Sequence, residues 1–145
     1  MPKSDLVLLA LDDDQLFQLF NRALTAVSYQ VAIARDIPSL NKALQESSPA
    51  LVIISQNFNG ANELEIAGGM LERFPTMPVL LLLLKDSPQI VKKAIHIGVS
   101  DCLYAPLHIE EIMNTVENSI KRADRVDDWT RREVKRTTAS LQQRV

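Results

Sequence analysis

Cysteine and histidine are scarce in this chain of 145 residues, which contains one cysteine, Cys102, and two histidines, His96 and His108. A single cysteine excludes an intramolecular disulfide and a cysteine-based zinc site. Two histidines are too few for a histidine-rich metal site. The chain therefore offers neither a disulfide framework nor a zinc or histidine-rich centre.

Long hydrophobic runs are also missing. The longest run covers residues 79–84, whereas a helix needs about 20 apolar residues to cross a bilayer. Residues 1–5 lead into the chain without the apolar stretch of a signal peptide. We expect no membrane span and a reducing, cytoplasmic setting.

The chain carries no large excess of charge of either sign. Its net charge is −2, which gives no general argument for nucleic acid or membrane binding. The distribution is uneven, because residues 1–120 have a net charge of −6 and residues 121–145 a net charge of +4. The composition is that of one ordinary globular domain followed by a segment of a different kind.

Five short apolar runs alternate with helix-like segments along the body of the chain. The predicted strands are residues 6–11, 29–34, 50–54, 79–84 and 101–104. The predicted helices are residues 15–28, a short helix beginning at 36–38, residues 61–74 and 88–97, and a last helix that begins at 108. This alternation predicts an α/β fold with a parallel sheet covered by helices on both faces.

Right-handed crossovers favour a flavodoxin-like, doubly wound sheet with the strand order 2-1-3-4-5. In such sheets, functional sites form outside the carboxyl ends of the strands. The residues expected at that edge are 12–14, 55–57, 83–86 and 104–107.

Four stretches at these positions resemble one family, the receiver domains of bacterial two-component response regulators. They are LVLLALDDDQLF, PALVIIS, MPVLLLLL and GVSDCLYAPL. They look like the family's first strand with its acidic pair, its third strand, its fourth strand, and its fifth strand with the turn that follows. The resemblance covers residues 4–122, and residues 123–145 are predicted to form a helical extension.

The resemblance implies a phosphotransfer site that this chain has lost in part. Asp12 and Asp13 match the acidic pair that holds Mg²⁺. Ser55 stands where the family has the aspartate that accepts the phosphoryl group, and Leu83 where it has a Thr or Ser. Ala105 stands where it has a lysine, and Cys102 where a switch aromatic is common. Replacing Asp and Lys together removes opposite charges from one pocket, so we expect a degenerate receiver with no catalytic residue.

Ser55 could itself be a nucleophile, but a serine needs an adjacent base. Neither His96 nor His108 is obviously placed to act as one, so we favour an inert Ser55. Two interpretations of Asp12 and Asp13 stay open, namely a weak Mg²⁺ site or a solvated pair of which one acid caps the first helix. No other cofactor is expected. The resemblance also implies a cis peptide bond at Ala105-Pro106.

The segment from residue 108 onward can form one helix of more than 30 residues. Heptad steps connect a partly polar seam: Met113, Val116, Ile120, Ala123, Asp127, Thr130, Val134, Thr137 and Leu141. We expect a coiled coil that forms a homodimer and links to an output domain; the alternative is a solvated, charged helix. The segment lacks a helix-turn-helix, so no nucleic acid binding is expected from it.

The leading hypothesis is therefore a receiver-like module that binds protein partners, a histidine kinase or an output domain, without phosphorylation and without enzymatic activity. One alternative is a working receiver that accepts a phosphoryl group at a non-standard site. Another is a flavodoxin-like module that binds a small molecule, although the chain has no glycine-rich phosphate loop. The chain is expected to be a fragment of a larger protein or a stand-alone adaptor.

Overall fold

The computed structural model describes residues 5–85 and 87–124. Strands and helices alternate along them, with a single 3-10 turn at Phe58–Gly60. The order is β1 Leu6–Ala10, α1 Asp14–Thr25, β2 Gln30–Ala34, α2 Ile37–Glu46, β3 Leu51–Ser55, α3 Glu63–Arg73, β4 Val79–Leu83, α4 Pro88–Ile97 and β5 Asp101–Tyr104. A fifth helix, α5, is described over residues 109–124.

All strand pairs are parallel, and the sheet order is β2-β1-β3-β4-β5. This is the doubly wound arrangement that the sequence predicts. β1, β3 and β4 lie inside the sheet and are almost entirely buried, which explains their unbroken apolar sequences.

Successive residues of the central strands point alternately to the two faces of the sheet, where they belong to two separate hydrophobic cores. Leu8, Val52 and Leu81 pack with α2, α3 and α4 on one face. Val7, Ile53 and Leu80 pack with α1 and α5 on the other. The two faces together hold the carboxyl ends of the strands at a common edge.

Short polar side chains begin three of the helices. Asp13 caps α1, Asp36 caps α2 and Asn62 caps α3, each by accepting hydrogen bonds from backbone N–H groups of the first turn. Gly98 ends α4 with a φ of 116°, a conformation that favours glycine. Ser87, directly before α4, makes no side-chain capping bond.

Several element boundaries differ from the predictions. β3 includes Ser55, because the ladder with β4 continues to the Ser55–Leu82 pair. β4 ends at Leu83, and Leu84, which falls inside the predicted strand 79–84, is 45% exposed. α3 begins at Glu63 rather than residue 61, because the backbone of Ala61 and Asn62 is extended and Asn62 caps the helix.

The first part of the predicted heptad seam belongs to the domain itself. Val116 is fully buried, and Met113 and Ile120 pack at the margin of the same core as α1. These residues therefore contact their own sheet. The seam from Asp127 onward and the helical extension lie outside the described residues, apart from 123 and 124. No helix within the described ranges is both long and apolar enough to span a membrane.

Candidate functional site

The carboxyl ends of β1, β3, β4 and β5 bring together the segments that the sequence places at the sheet edge. The register aligns Ala10 with Ile54, Ser55 with Leu82, and Leu83 with Tyr104. The segments that begin at Asp12, Gln56, Leu84 and Ala105 therefore leave the sheet side by side. The Ala105–Pro106 peptide bond is cis, as the resemblance implies.

The three acids after β1 have separate roles. Asp13 Oδ1 accepts hydrogen bonds from the N–H groups of Gln15 at 2.8 Å and Leu16 at 3.2 Å, so it caps α1. Asp12 Oδ2 accepts one from the N–H of Asn59 at 3.3 Å. Asp14 forms an exposed ion pair with Arg35, with 2.6 Å between Oδ1 and Nη2. The acidic pair is thus engaged with backbone amides.

Ser55 ends β3 with its side chain almost enclosed. The residue is 3% exposed, and its Oγ donates to the carbonyl oxygen of the adjacent Gln56 at 3.3 Å. No histidine contact to this hydroxyl is present among the described residues' hydrogen bonds. Within the described part of the chain, no histidine is therefore bonded to Ser55 to activate it as a nucleophile.

Gln56 connects β3 to the segment after β4. Its backbone N–H donates to the carbonyl oxygen of Leu82 at 2.8 Å, which extends the sheet by one bond. Its side-chain Oε1 accepts a hydrogen bond from the N–H of Leu84 at 3.0 Å. The sequence pattern predicts Gln56 at this edge but indicates no role for it.

The loop after Gln56 is held in place by one buried side chain and by a backbone hydrogen bond to a carboxylate. Phe58 is fully buried in the core of α2, α3 and α4. The N–H of Asn57 donates to Oε2 of Glu63 at 3.2 Å, and Glu63 is 6% exposed. Glu63 is not among the residues that the sequence predicts for this site. The signal available in the sequence is an acidic residue in the first turn of a helix, directly after the capping residue Asn62.

The remaining positions of the expected site carry no polar side chain toward a ligand. Leu83 is completely buried and packs in the core of α2, α3 and α4. Cys102 is buried in that core as well, while Ala105 is exposed. Within the described ranges, no three His, Cys, Asp or Glu side chains are grouped so that they could hold a metal ion. Within these ranges, no third side chain of this kind lies beside Asp12 and Asp13.

Cys102 should react slowly with alkylating reagents. Burial, with a smaller contribution from the charge of Asp101, raises the pKa of its thiol to about 11, against an ordinary value of about 8.5. Because the thiolate is the nucleophile, iodoacetamide at pH 8 should modify the folded chain roughly 100-fold more slowly than an unstructured thiol. The rate should rise as the pH approaches 11.

Intact-mass measurements over time would give this rate, with the urea-unfolded chain as the control. Equal rates for the folded and unfolded chains would contradict the buried position of Cys102.

The surface at α4 exposes apolar and basic groups together. Within the described ranges, Ile95 is 62% and Ile97 38% exposed. They lie with Lys92, Lys93 and Leu64 around one shallow groove, and α4 contains no acidic residue. We refer to Lys92, Lys93, Ile95 and Ile97 as the α4 face.

The family of this chain follows from its match to known sequences. A family model described as the response regulator receiver domain matches residues 7–117, which is more than half of the chain. The chain belongs to this family. It is a receiver domain of the two-component response regulators, and the five-stranded sheet described above is the fold of that family.

The individual proteins that match this chain are only distantly similar to it in sequence. Transcriptional regulatory protein TctD of Salmonella typhimurium (strain SL1344) is 26% identical over 117 residues, which are 81% of this chain and 52% of that protein. The chain thus spans about half the length of the curated relatives it matches.

Two solved structures illustrate the shared fold. The receiver domain protein (CheY-like) from Methanospirillum hungatei JF-1 has a TM-score of 0.78 at 12% identity, covering 85% of this chain and 98% of that one. A response regulator from Thermotoga maritima has a TM-score of 0.76 at 18% identity, covering 82% and 99%. At these identities, the likeness concerns the fold alone.

Proposed function

We propose that this receiver domain acts without accepting a phosphoryl group, as a protein-binding module in two-component signal transduction. One observation carries the proposal: the side chain that ends β3 is the neutral, nearly enclosed hydroxyl of Ser55. A serine without a base is a poor acceptor. A phosphoryl group at this position would also have to displace Ser55 from its contact with Gln56.

The surrounding groups support the same conclusion. Holding a phosphoryl group requires cations or free N–H groups to offset its charge of about −2. Here Ala105 offers no charge, Leu83 is turned into the core, and the N–H of Leu84 already donates to Gln56. Asp12 and Asp13 add negative charge at this edge, so an incoming phosphoryl group would meet repulsion.

The α4 face is the best candidate for the surface that binds a partner. Exposed apolar side chains surrounded by a polar rim are typical of protein-binding sites. Lys92 and Lys93 favour a partner segment with acidic residues beside its apolar ones. A histidine kinase or an output domain would be such a partner. A cytoplasmic location is part of this proposal.

Phosphorylation can be tested directly on the full chain. Incubation with Mg²⁺ and acetyl phosphate, followed by intact mass measurement, should give no covalent adduct. Thermal melting with Mg²⁺ and beryllofluoride should leave the melting temperature unchanged. A receiver domain with aspartate at the end of its third strand serves as the positive control. An adduct on this chain, or clear stabilisation by beryllofluoride, would refute the proposal.

Dimerisation through the segment after the domain is a separate part of the proposal. Its support is the heptad spacing from Asp127 to Leu141 in the sequence. Sedimentation or light scattering should give a dimer for the full chain and a monomer for a chain ending at about residue 122. Because Met113, Val116 and Ile120 pack inside the domain, both chains should fold. A full chain that stays monomeric at high concentration rules out this part.

A further inference from the structure

The backbone N–H of Leu84 is the first amide after β4 that the sheet does not use. β5 pairs with β4 as far as Leu83, and the N–H of Ala105 donates to the carbonyl oxygen of Leu83 at 3.0 Å. The N–H of Leu84 would therefore be left to solvent. Instead, the side chain of Gln56 accepts it at 3.0 Å, across 28 residues of sequence.

The backbone of Gln56 is itself held in place by the sheet. Its own N–H is bonded to the carbonyl oxygen of Leu82 at 2.8 Å, so its backbone is part of the β3–β4 ladder. The side chain then reaches Leu84, two residues after Leu82 and just beyond the end of β4. The same residue thus bonds to β4 through its backbone and to the first amide beyond β4 through its side chain.

The neighbouring amides of this edge are also occupied by side chains of the domain. The N–H of Asn57 donates to Glu63 at 3.2 Å, and the N–H of Asn59 donates to Asp12 at 3.3 Å. Glu63 and Asp12 already contribute carboxylates here. The neutral side-chain amide of Gln56 accepts the N–H of Leu84 through its oxygen. It does so without adding a further negative charge, which would need a nearby cation to offset it.

We propose that Gln56 is a positioning residue that fixes the segment entering α4 without any bound ligand. Leu84 lies four residues before α4 begins at Pro88, so a tether on its amide limits how far this segment can move from β3. The inference rests on the proposed function, because it supplies a ligand-independent means of keeping the α4 face in one position for a partner.

Amide hydrogen exchange of the full chain, read residue by residue by NMR, tests the tether. In Gln56→Ala, the Leu84 amide should exchange about three to ten times faster than in the parent chain, which is the range expected for losing one hydrogen bond. Gln56→Glu keeps an acceptor of the same length and should retain the slow exchange. Gln45→Ala, at an exposed glutamine on α2, should change nothing at Leu84.

Two results would overturn the inference: an unchanged Leu84 exchange rate in Gln56→Ala, or an equal acceleration in Gln45→Ala. Neither depends on phosphorylation. A phosphoryl adduct in the mass experiment would refute the proposed function and leave the tether intact, whereas an unprotected Leu84 amide would remove the tether and leave the proposed function standing.

Discussion

Replacing Phe58 with alanine is expected to lower the free energy of unfolding by about 3–5 kcal/mol, the usual cost of removing a fully buried aromatic side chain. Phe58 lies in the turn after β3, yet its side chain is completely buried between the sheet and the helices on that face. The backbone on either side of it has positive φ angles at Asn57 and Asn59. The turn keeps this unusual shape because Phe58 anchors it.

Urea unfolding followed by circular dichroism would measure the loss, with Phe74→Ala as the matched control. Phe74 is only partly buried at the margin of the same core and has the Arg73 guanidinium 5.8 Å from its ring, so its replacement should cost clearly less. Phe58→Ala should also speed hydrogen exchange at Asn57 and Asn59, whose amides depend on the turn. Equal losses in the two variants would show that Phe58 is not the anchor.

The order of strands and helices could be predicted because it depends on local patterns. Continuous apolar runs of five or six residues and helix caps such as Asp36 are legible within a short window of sequence. The ends of strands are harder to predict, because they depend on which residues of the adjacent strands pair with them. Ser55 joins β3 since Leu82 pairs with it, and Leu84 leaves β4 since β5 ends at Tyr104.

The roles of side chains at the site were predictable only where the partner is close in sequence. Asp13 is two residues from the amide it caps, and a capping role for one acid of the pair was among the two interpretations. Gln56 bonds to an amide 28 residues away, and Asp12 to one 47 residues away. Such contacts depend on the order of strands and on loop conformation, neither of which a single residue's neighbours reveal.

Ser55→Asp, which introduces the carboxylate that the resemblance implies for this position, is expected to destabilise the domain by about 3 kcal/mol at pH 7, because an uncompensated charge would then be nearly buried. Ser55 is 3% exposed, Ala105 provides no cation, and Asp12 leaves the sheet on the neighbouring strand. Burial and the nearby acid would raise the pKa of the new carboxyl in the folded state above its ordinary value of about 3.9.

The sign of the pH dependence follows from that raised pKa. Well below the unfolded-state pKa of about 3.9, the carboxyl is protonated in both the folded and the unfolded chain, so the electrostatic part of the penalty should vanish there. The penalty should grow as the pH rises from the unfolded-state pKa toward the folded-state pKa and level off above the latter. Asparagine has nearly the same shape as aspartate but carries no charge. The difference in unfolding free energy between Ser55→Asp and Ser55→Asn therefore isolates the effect of the charge.

A second change tests whether an aspartate at position 55 and a lysine at position 105, the pair that the resemblance implies, stabilise one another. In Ser55→Asp with Ala105→Lys, the lysine should recover part of the stability at pH 7, whereas Ala105→Lys alone should have little effect at its exposed position. Urea unfolding of the four chains forms a double-mutant cycle with a favourable coupling energy. If Ser55→Asp were as stable as Ser55→Asn at pH 7, the site would already accommodate a carboxylate and would not be adapted to a neutral residue.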